Sequence, residues 1–453
     1  MHKAILHVEA RVQTDEDNVI IRTDIVREEV TKWLAENFAV LNLGQQICTF
    51  DGLNHSCAQF LQSIRVIECT GPHVEIESGA YRLDNVEMDV QAYQLRDVEM
   101  GSSQAMDTSL EKWDDDTPQA RTILLPNKEL DGIWESLIFD EPIPSNLLRA
   151  VTRMLSVSWK KLDTWIINWN RLILLHGPPG TGKTSLCRGL AQKLAIRLGK
   201  IFPTSKMVEI NAHSLGSKYF SQSGKLVSKM FENIEAMLDE EEDVFVCIFV
   251  DEVETLAAKR EQALNGSEPV DAMRAVNALL TALDRIRHHP NVVVFCTSNL
   301  ITALDSAFLD RIDIKQYIPP PSRHVIYAIY KSCLEDLSRC GIIEGSTFDV
   351  FRVDPTDPNT QLQHQAHPSE TLMLPSYDEM ILWYGIFSES VPKQLADIAE
   401  ASANLSGRTL RRLPAISLVL HTRGATCTVQ EALTALRKGV NEEVKAKVEA
   451  SEK

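Results

Sequence analysis

Eight consecutive residues, Gly177-Pro178-Pro179-Gly180-Thr181-Gly182-Lys183-Thr184, fill every fixed position of the phosphate-binding pattern G-x-x-x-x-G-K-[ST]. Glycines in such a loop let the backbone curl until amide N–H groups face a phosphate chain. The N-terminus of a following helix adds positive potential. Lys183 would reach the β- and γ-phosphates of ATP, and the Thr184 hydroxyl would hold Mg²⁺, with Ser185 completing the cofactor-binding set. A second constellation follows the apolar run Val244-Phe245-Val246-Cys247-Ile248-Phe249-Val250, which ends in Asp251-Glu252. Asp251 would take the metal, directly or through water, and Glu252 would orient and deprotonate an attacking water. A third apolar run, Val292 to Thr297, leads into Ser298-Asn299, and an amide at that tip would sense the γ-phosphate and help place the water.

These groups need elements to hold them. Leu172-Ile173-Leu174-Leu175 reads as a buried strand before the loop, and Ser185 to Leu198 carries apolar residues at helical spacing after it. The unbroken run before Asp251 reads as a central parallel strand buried on both faces. Its C-terminal end is where ligands bind in open α/β sheets. Upstream, Ala4, Leu6, Val8, Ala10 and Val12 alternate with polar partners, as do Val86, Met88, Val90 and Ala92. Between them a helix is expected from Asp24, with Val26, Val30, Trp33, Leu34 and Phe38 on one face.

The resulting expectation is a small α+β domain over 1–95, which either packs or binds a partner, and an acidic linker over 96–123. An ATPase core over 124–320 and a helical region over 321–453 follow, with a polar loop at 346–376. Leu130 to Phe139, before the first core helix, would wall an adenine pocket or simply pack. His364 and His367 sit in a Gln-rich, proline-flanked stretch and are expected to be solvated and mobile rather than metal-binding.

Composition narrows the class further. A chain of 453 residues with 44% hydrophobic residues has material for several cores. Its net charge of −17 disfavours direct nucleic-acid binding, which wants a basic face. Nine cysteines without paired spacing point to reduced thiols. The N-terminus lacks a secretory apolar segment, and no run approaches a membrane span, so an intracellular, membrane-free protein is expected.

Further motifs carry a resemblance. Leu304-Asp305-Ser306-Ala307-Phe308-Leu309-Asp310-Arg311 resembles the second region of homology of AAA+ ATPases, in which an arginine reaches the neighbouring subunit's nucleotide. Arg311 matches it, although many members carry two arginines here and this chain has one. Leu405-Ser406-Gly407-Arg408 resembles the sensor-2 position of the AAA+ lid, where Arg408 would contact the γ-phosphate from its own chain. Lys218-Tyr219-Phe220, in a Ser/Gly-flanked loop, resembles AAA+ pore loop 1, which grips an extended polypeptide. Trp169-Asn170-Arg171, the segments at 217–226, 251–254 and 310–318, and Leu405 to Pro414 together resemble one branch, the pachytene-checkpoint AAA+ ATPase family of the thyroid-receptor-interacting protein 13 orthologues.

That resemblance implies an α/β fold: a P-loop AAA+ core with a parallel sheet, a helical C-terminal lid and a small α+β N-terminal domain. It also implies an Mg-ATP-driven homo-hexameric ring with a trans-acting arginine finger that remodels HORMA-domain proteins, often with a HORMA-like adaptor. Service at meiotic chromosome axes and the spindle checkpoint, in nucleus and cytoplasm, goes with it. Two other classes stay open on the residues alone. One is a nucleotide-gated scaffold, disfavoured by the intact Glu252, Asn299 and Arg311. The other is a DNA-associated AAA+ protein, disfavoured by charge and by the aromatic loop.

Overall fold

A computed structural model describes residues 3–13, 22–71, 79–97, 120–158, 160, 166–167, 169–212, 223–241, 243–257, 269–352 and 362–451. Two compact units divide the chain, one of residues 1–134, 143–176 and 184–316, the other of 135–142, 177–183 and 317–453.

The first unit begins with strand β1 (Ala4–Val12), helix α1 (Thr23–Asn37), strands β2 (Val40–Asn42) and β3 (Gln46–Ile47), and the single turn α2 (His55–Ala58). Strands β4 (Leu61–Thr70), β5 (Ala80–Arg82) and β6 (Val86–Gln94) follow. Four of them form a sheet in the order β3-β4-β1-β6, β1 lying antiparallel to β4 and parallel to β6. Alternation decides its faces. Leu6, Val8, Ala10 and Val12 are buried in one cluster with Val26, Val30, Trp33 and Leu34 of α1. The opposite parity of β1 carries Ile5, His7, Glu9 and Arg11, with Glu68 and Asp89 in register with His7 and Gln91 with Glu9.

A second sheet is built from β7 (Arg121–Leu125), β8 (Leu172–His176), β9 (Thr204–Asn211), β10 (Val244–Asp251), β11 (Val292–Ser298) and β12 (Ile314–Tyr317), in the order β12-β8-β11-β10-β9-β7. Strands β8, β11, β10 and β9 run parallel, and β7 closes the edge antiparallel to β9. Every residue from Phe245 to Val250 is buried, as a strand covered on both faces requires. Helices α3 (Ile143–Ser158), α4 (Lys183–Arg197), α5 (Ser223–Glu240) and α6 (Pro269–Ile286) and the short α7 (Ser306–Asp310) complete this part. Met230, Phe231 and Ile234 of α5 join Val276, Leu279 and Leu283 of α6 in the apolar cluster that includes Val246, Ile248 and Val250.

Arg171 fastens the entry to β8. Its guanidinium donates to the carbonyls of Val292 (3.0 Å), Arg287 (2.7 Å) and His289 (2.7 Å). Burial pulls it down to about 10 against the attraction of Asp313, so it stays charged at neutral pH.

The polar face of the first sheet meets charges from the end of α4. Lys193 Nζ lies 2.7 Å from Glu9 and Arg197 Nη2 lies 2.8 Å from Glu68, all four side chains nearly buried. Lys200 pairs with Asp89, which also receives Gln91 Nε2 (3.0 Å) and lies 3.1 Å from His7 Nδ1. The stretch expected as a linker departs from that expectation at its ends, because its backbone groups find partners. The Arg96 N–H donates to Pro126 O at 2.9 Å, Lys128 N–H donates to Arg96 O at 3.0 Å, and Arg121 to Ile123 pair with β9. Residues 98–119 of that stretch lie outside the described residues.

The second unit packs α8 (Arg323–Arg339), the turn α9 (Tyr377–Glu379) with a π-helical continuation (Met380–Tyr384), α10 (Val391–Ala401), α11 (Gly407–His421) and α12 (Val429–Ser451). Tyr330, Leu395, Leu410, Leu413, Leu433 and Leu436 share its core. A Cβ on Gly439 of α12 would fall 2.0 Å from Ser417 Oγ and 3.1 Å from Ser417 Cβ of α11, so a side chain there would have to displace the Ser417 hydroxyl. Residues 346–376, read as a polar loop, contain an antiparallel ribbon of β13 (Ser346–Arg352) and β14 (Leu362–Pro368). Phe348 and Val350 explain it: at strand spacing they pack against the helical core, and Tyr384 Oη donates to Phe348 O at 2.7 Å. His364 stands opposite Val350 and His367 opposite Thr347, on the ribbon.

Candidate active site

The loop from Gly177 to Lys183 has a backbone that only its glycines permit. Gly177, Gly180 and Gly182 take φ of +149°, +75° and +96°. A Cβ on Gly177 would meet Ile318 O at 2.3 Å, and one on Gly180 would meet Ser406 Cβ at 2.7 Å. Pro178 and Pro179 stiffen the first bend, and Thr181 Oγ1 donates to Pro178 O at 3.0 Å. Lys183 opens α4 and is buried; its ammonium folds back onto Gly177 O and Pro178 O, both at 2.7 Å. Thr184 and Ser185 lie in the first turn of the helix, whose amide end favours anions. Arg408 is the second residue of α11, beside this loop: its Cβ lies 3.9 Å from where a Gly180 Cβ would be. Ser406 caps that helix, accepting from Thr409 N at 3.2 Å. Arg408 is exposed and, among the described residues, makes no side-chain hydrogen bond or ion pair.

At the C-terminal ends of β10 and β11 the acidic groups are tied to one another. Thr184 Oγ1 lies 3.1 and 3.3 Å from the two Asp251 carboxylate oxygens, so hydroxyl and carboxylate converge as a hard-cation oxygen set. Thr297 Oγ1 donates to Asp251 and accepts from Glu252 N–H at 3.0 Å. That bond helps hold Glu252 in the left-handed region (φ 53°, ψ 53°), a conformation costly for a residue with a Cβ. Asn299 Nδ2 makes a long contact of 3.5 Å with Glu252 Oε1. Arg311, by contrast, is engaged within its own chain. Its Nε and Nη2 meet the Asp284 carboxylate at 3.0 and 2.8 Å, and Nη1 donates to Ala307 O at 2.8 Å. These bonds from Arg311 hold the Asp284 carboxyl below the usual carboxylate range. Lys218, Tyr219 and Phe220 lie outside the described residues.

Thr297, Glu254 and Asp284 belong to this network, and the motifs gave them no role. Thr297 stands next to the Ser298-Asn299 turn, and Glu254 stands two residues past Glu252; proximity in sequence was the available signal. Asp284 has no local signal, lying 27 residues before Arg311.

Comparison with known proteins matches a TRIP13 N-terminal domain over residues 1–98, an AAA domain (ATPase family associated with various cellular activities) over 173–320 and a TRIP13-like AAA+ ATPase lid C-terminal domain over 322–444. A pachytene checkpoint protein 2 homolog of Danio rerio is 38% identical over 440 residues, covering 97% of this chain and 93% of its own. The chain belongs to the TRIP13-like AAA+ ATPase family. Membership makes this TRIP13-like protein an ATPase with a nucleotide-binding AAA+ core, a helical lid and a separate N-terminal domain. The Homo sapiens pachytene checkpoint protein 2 homolog is 44% identical over 323 residues, 71% of this chain and 68% of that one. Among solved structures, that of C. elegans PCH-2 superposes with a TM-score of 0.66 at 29% identity, covering 97% of this chain and 99% of that one. The structure of the E. coli MS115-1 HORMA:CdnC:Trip13 complex shares the fold at 16% identity and a TM-score of 0.50, covering 71% of this chain and 97% of that one.

Proposed function

We propose that the protein is an Mg-ATP-driven, ring-forming remodeller that opens or disassembles HORMA-domain proteins, serving meiotic chromosome axes and the spindle checkpoint in nucleus and cytoplasm. One observation carries the hydrolytic half of this reading: Glu252, held left-handed by Thr297, sits between Asp251, which faces Thr184, and the amide of Asn299. A mere binding loop has no use for that strained carboxylate. The glycine cradle fits a phosphate chain, since each Cβ it lacks would fill space or force strain.

In this reading Gly177 to Ser185 bind ATP, Lys183 leaving its two carbonyls for the β- and γ-phosphates. Thr184 and Asp251 hold Mg²⁺, which neutralises phosphate charge when bound. Glu252 orients water and takes its proton, and Asn299 keeps the Glu252 carboxylate aimed. Arg408 contacts the γ-phosphate from its own chain. Arg311 exchanges Asp284 for the nucleotide of a neighbouring subunit in a homo-hexamer, a trans role that can be worth orders of magnitude in rate. Lys218, Tyr219 and Phe220 grip the substrate polypeptide. The HORMA assignment is supported by the family's N-terminal and lid domains matching along the chain, and by a solved Trip13 relative assembled with a HORMA protein.

The test incubates the full chain, ATP and a HORMA-like adaptor with a closed HORMA-domain protein bound to its closure peptide. ATP-dependent peptide release that disappears in Tyr219→Ala is expected. ATP hydrolysis without release would leave the motor standing and overturn the substrate assignment.

A further inference from the structure

We infer that Glu254 is a positioning residue for ATP hydrolysis: it anchors the tip of β11 so that Asn299 faces Glu252. This rests on the roles given above to Asn299 and Glu252 and adds the part that fixes their geometry.

After β10 the chain enters a tight 3-10 turn, Val253 to Thr255. The turn is pinned from both sides. Val253 is fully buried in the ATPase core, and Thr255 and Ala257 donate their N–H groups to Glu252 O (3.1 Å) and Val253 O (2.8 Å). Such a turn presents Glu254 to the neighbouring strand end, where its Oε1 accepts from the Asn299 backbone N–H at 2.9 Å. Asn299 thus has its main chain held by Glu254 while its side chain reaches Glu252 at 3.5 Å. The other carboxylate oxygen, Oε2, is buried and has no partner among the described residues. A buried carboxylate oxygen left unpaired costs free energy. What the geometry uses is the reach and acceptor of a long side chain at this position, not a completed ion pair. A glutamine supplies the same reach and a carbonyl acceptor; an aspartate keeps the charge and loses the reach.

Steady-state ATP turnover and ADP affinity are measured on the full chain for Glu254→Ala, Glu254→Gln, Glu254→Asp, Asn299→Ala and the Glu254→Ala/Asn299→Ala pair. The expected result is a loss of roughly tenfold or more in kcat for Glu254→Ala and Glu254→Asp, with KM and ADP affinity within about twofold of the parent. Glu254→Gln retains most of kcat, and the double variant is no slower than Asn299→Ala alone. A parental kcat in Glu254→Ala, a Gln variant as slow as the Asp variant, or single losses that multiply in the pair would each overturn the inference. Should Glu254→Ala fail to fold, the Gln-against-Asp comparison decides. A parental kcat in Asn299→Ala would instead overturn the role of Asn299 itself.

Discussion

Arg311 and Asp284 form a bidentate pair, and its pH response follows from the direction of one shift. The Arg311 bonds lower the Asp284 pKa in the folded chain. A depressed carboxylate contributes stability that is complete above its unfolded value, about 4, and is lost as pH falls through the folded value. Carbon-13 NMR of the Asp284 carboxyl is therefore expected to titrate at lower pH in the parent than in Arg311→Ala. An unchanged midpoint would show that the pair is absent in solution. At this scale the sequence spoke clearly wherever a role is written in consecutive residues, as in Gly177 to Thr184 or Asp251-Glu252. It was silent on Thr297, which bonds Asp251 from 46 residues away, because a hydroxyl at a strand end has no periodicity to betray it.

Elements were legible to the degree that their apolar residues repeat. The runs at 172–175, 244–250 and 292–297 became strands β8, β10 and β11, and the alternation from Ala4 to Val12 became β1. The β13–β14 ribbon was missed because proline, glutamine and histidine around it outweighed Phe348 and Val350, which alone carry its period. Arg171 joins elements that sequence patterns treat separately, since its three carbonyl partners lie after α6 and at the start of β11. Arg171→Leu removes the donor of the buried Val292 carbonyl and of two part-buried ones and is expected to destabilise the core by about 3 kcal/mol. Thermal unfolding of the two proteins checks this; an unchanged melting temperature would mean that water replaces the guanidinium.

The N-terminal sheet and the ATPase helix α4 are joined by charge. Glu9 and Lys193 are each nearly buried and 2.7 Å apart, so reversing the charge of one sets like charges together in a nearly dry site, at a cost of about 3 kcal/mol. Glu9→Lys is expected to speed amide exchange in β1 and at the end of α4, and Glu9→Lys with Lys193→Glu is expected to restore protection. Exchange unchanged in the single variant would show that the contact is not formed in solution. None of this was legible in the alternation of β1, because a strand's polar parity looks the same whether water or a lysine-bearing helix covers it. The polar joint has a practical consequence for handling and turnover. A parting of the two surfaces would uncover Glu9, Glu68 and Asp89 on one side and Lys193, Arg197 and Lys200 on the other. Hydrocarbon would stay sheltered against α1. Those six groups are ones that water solvates readily, so parting them would add little apolar surface to what the chain already shows there, Ile5 included.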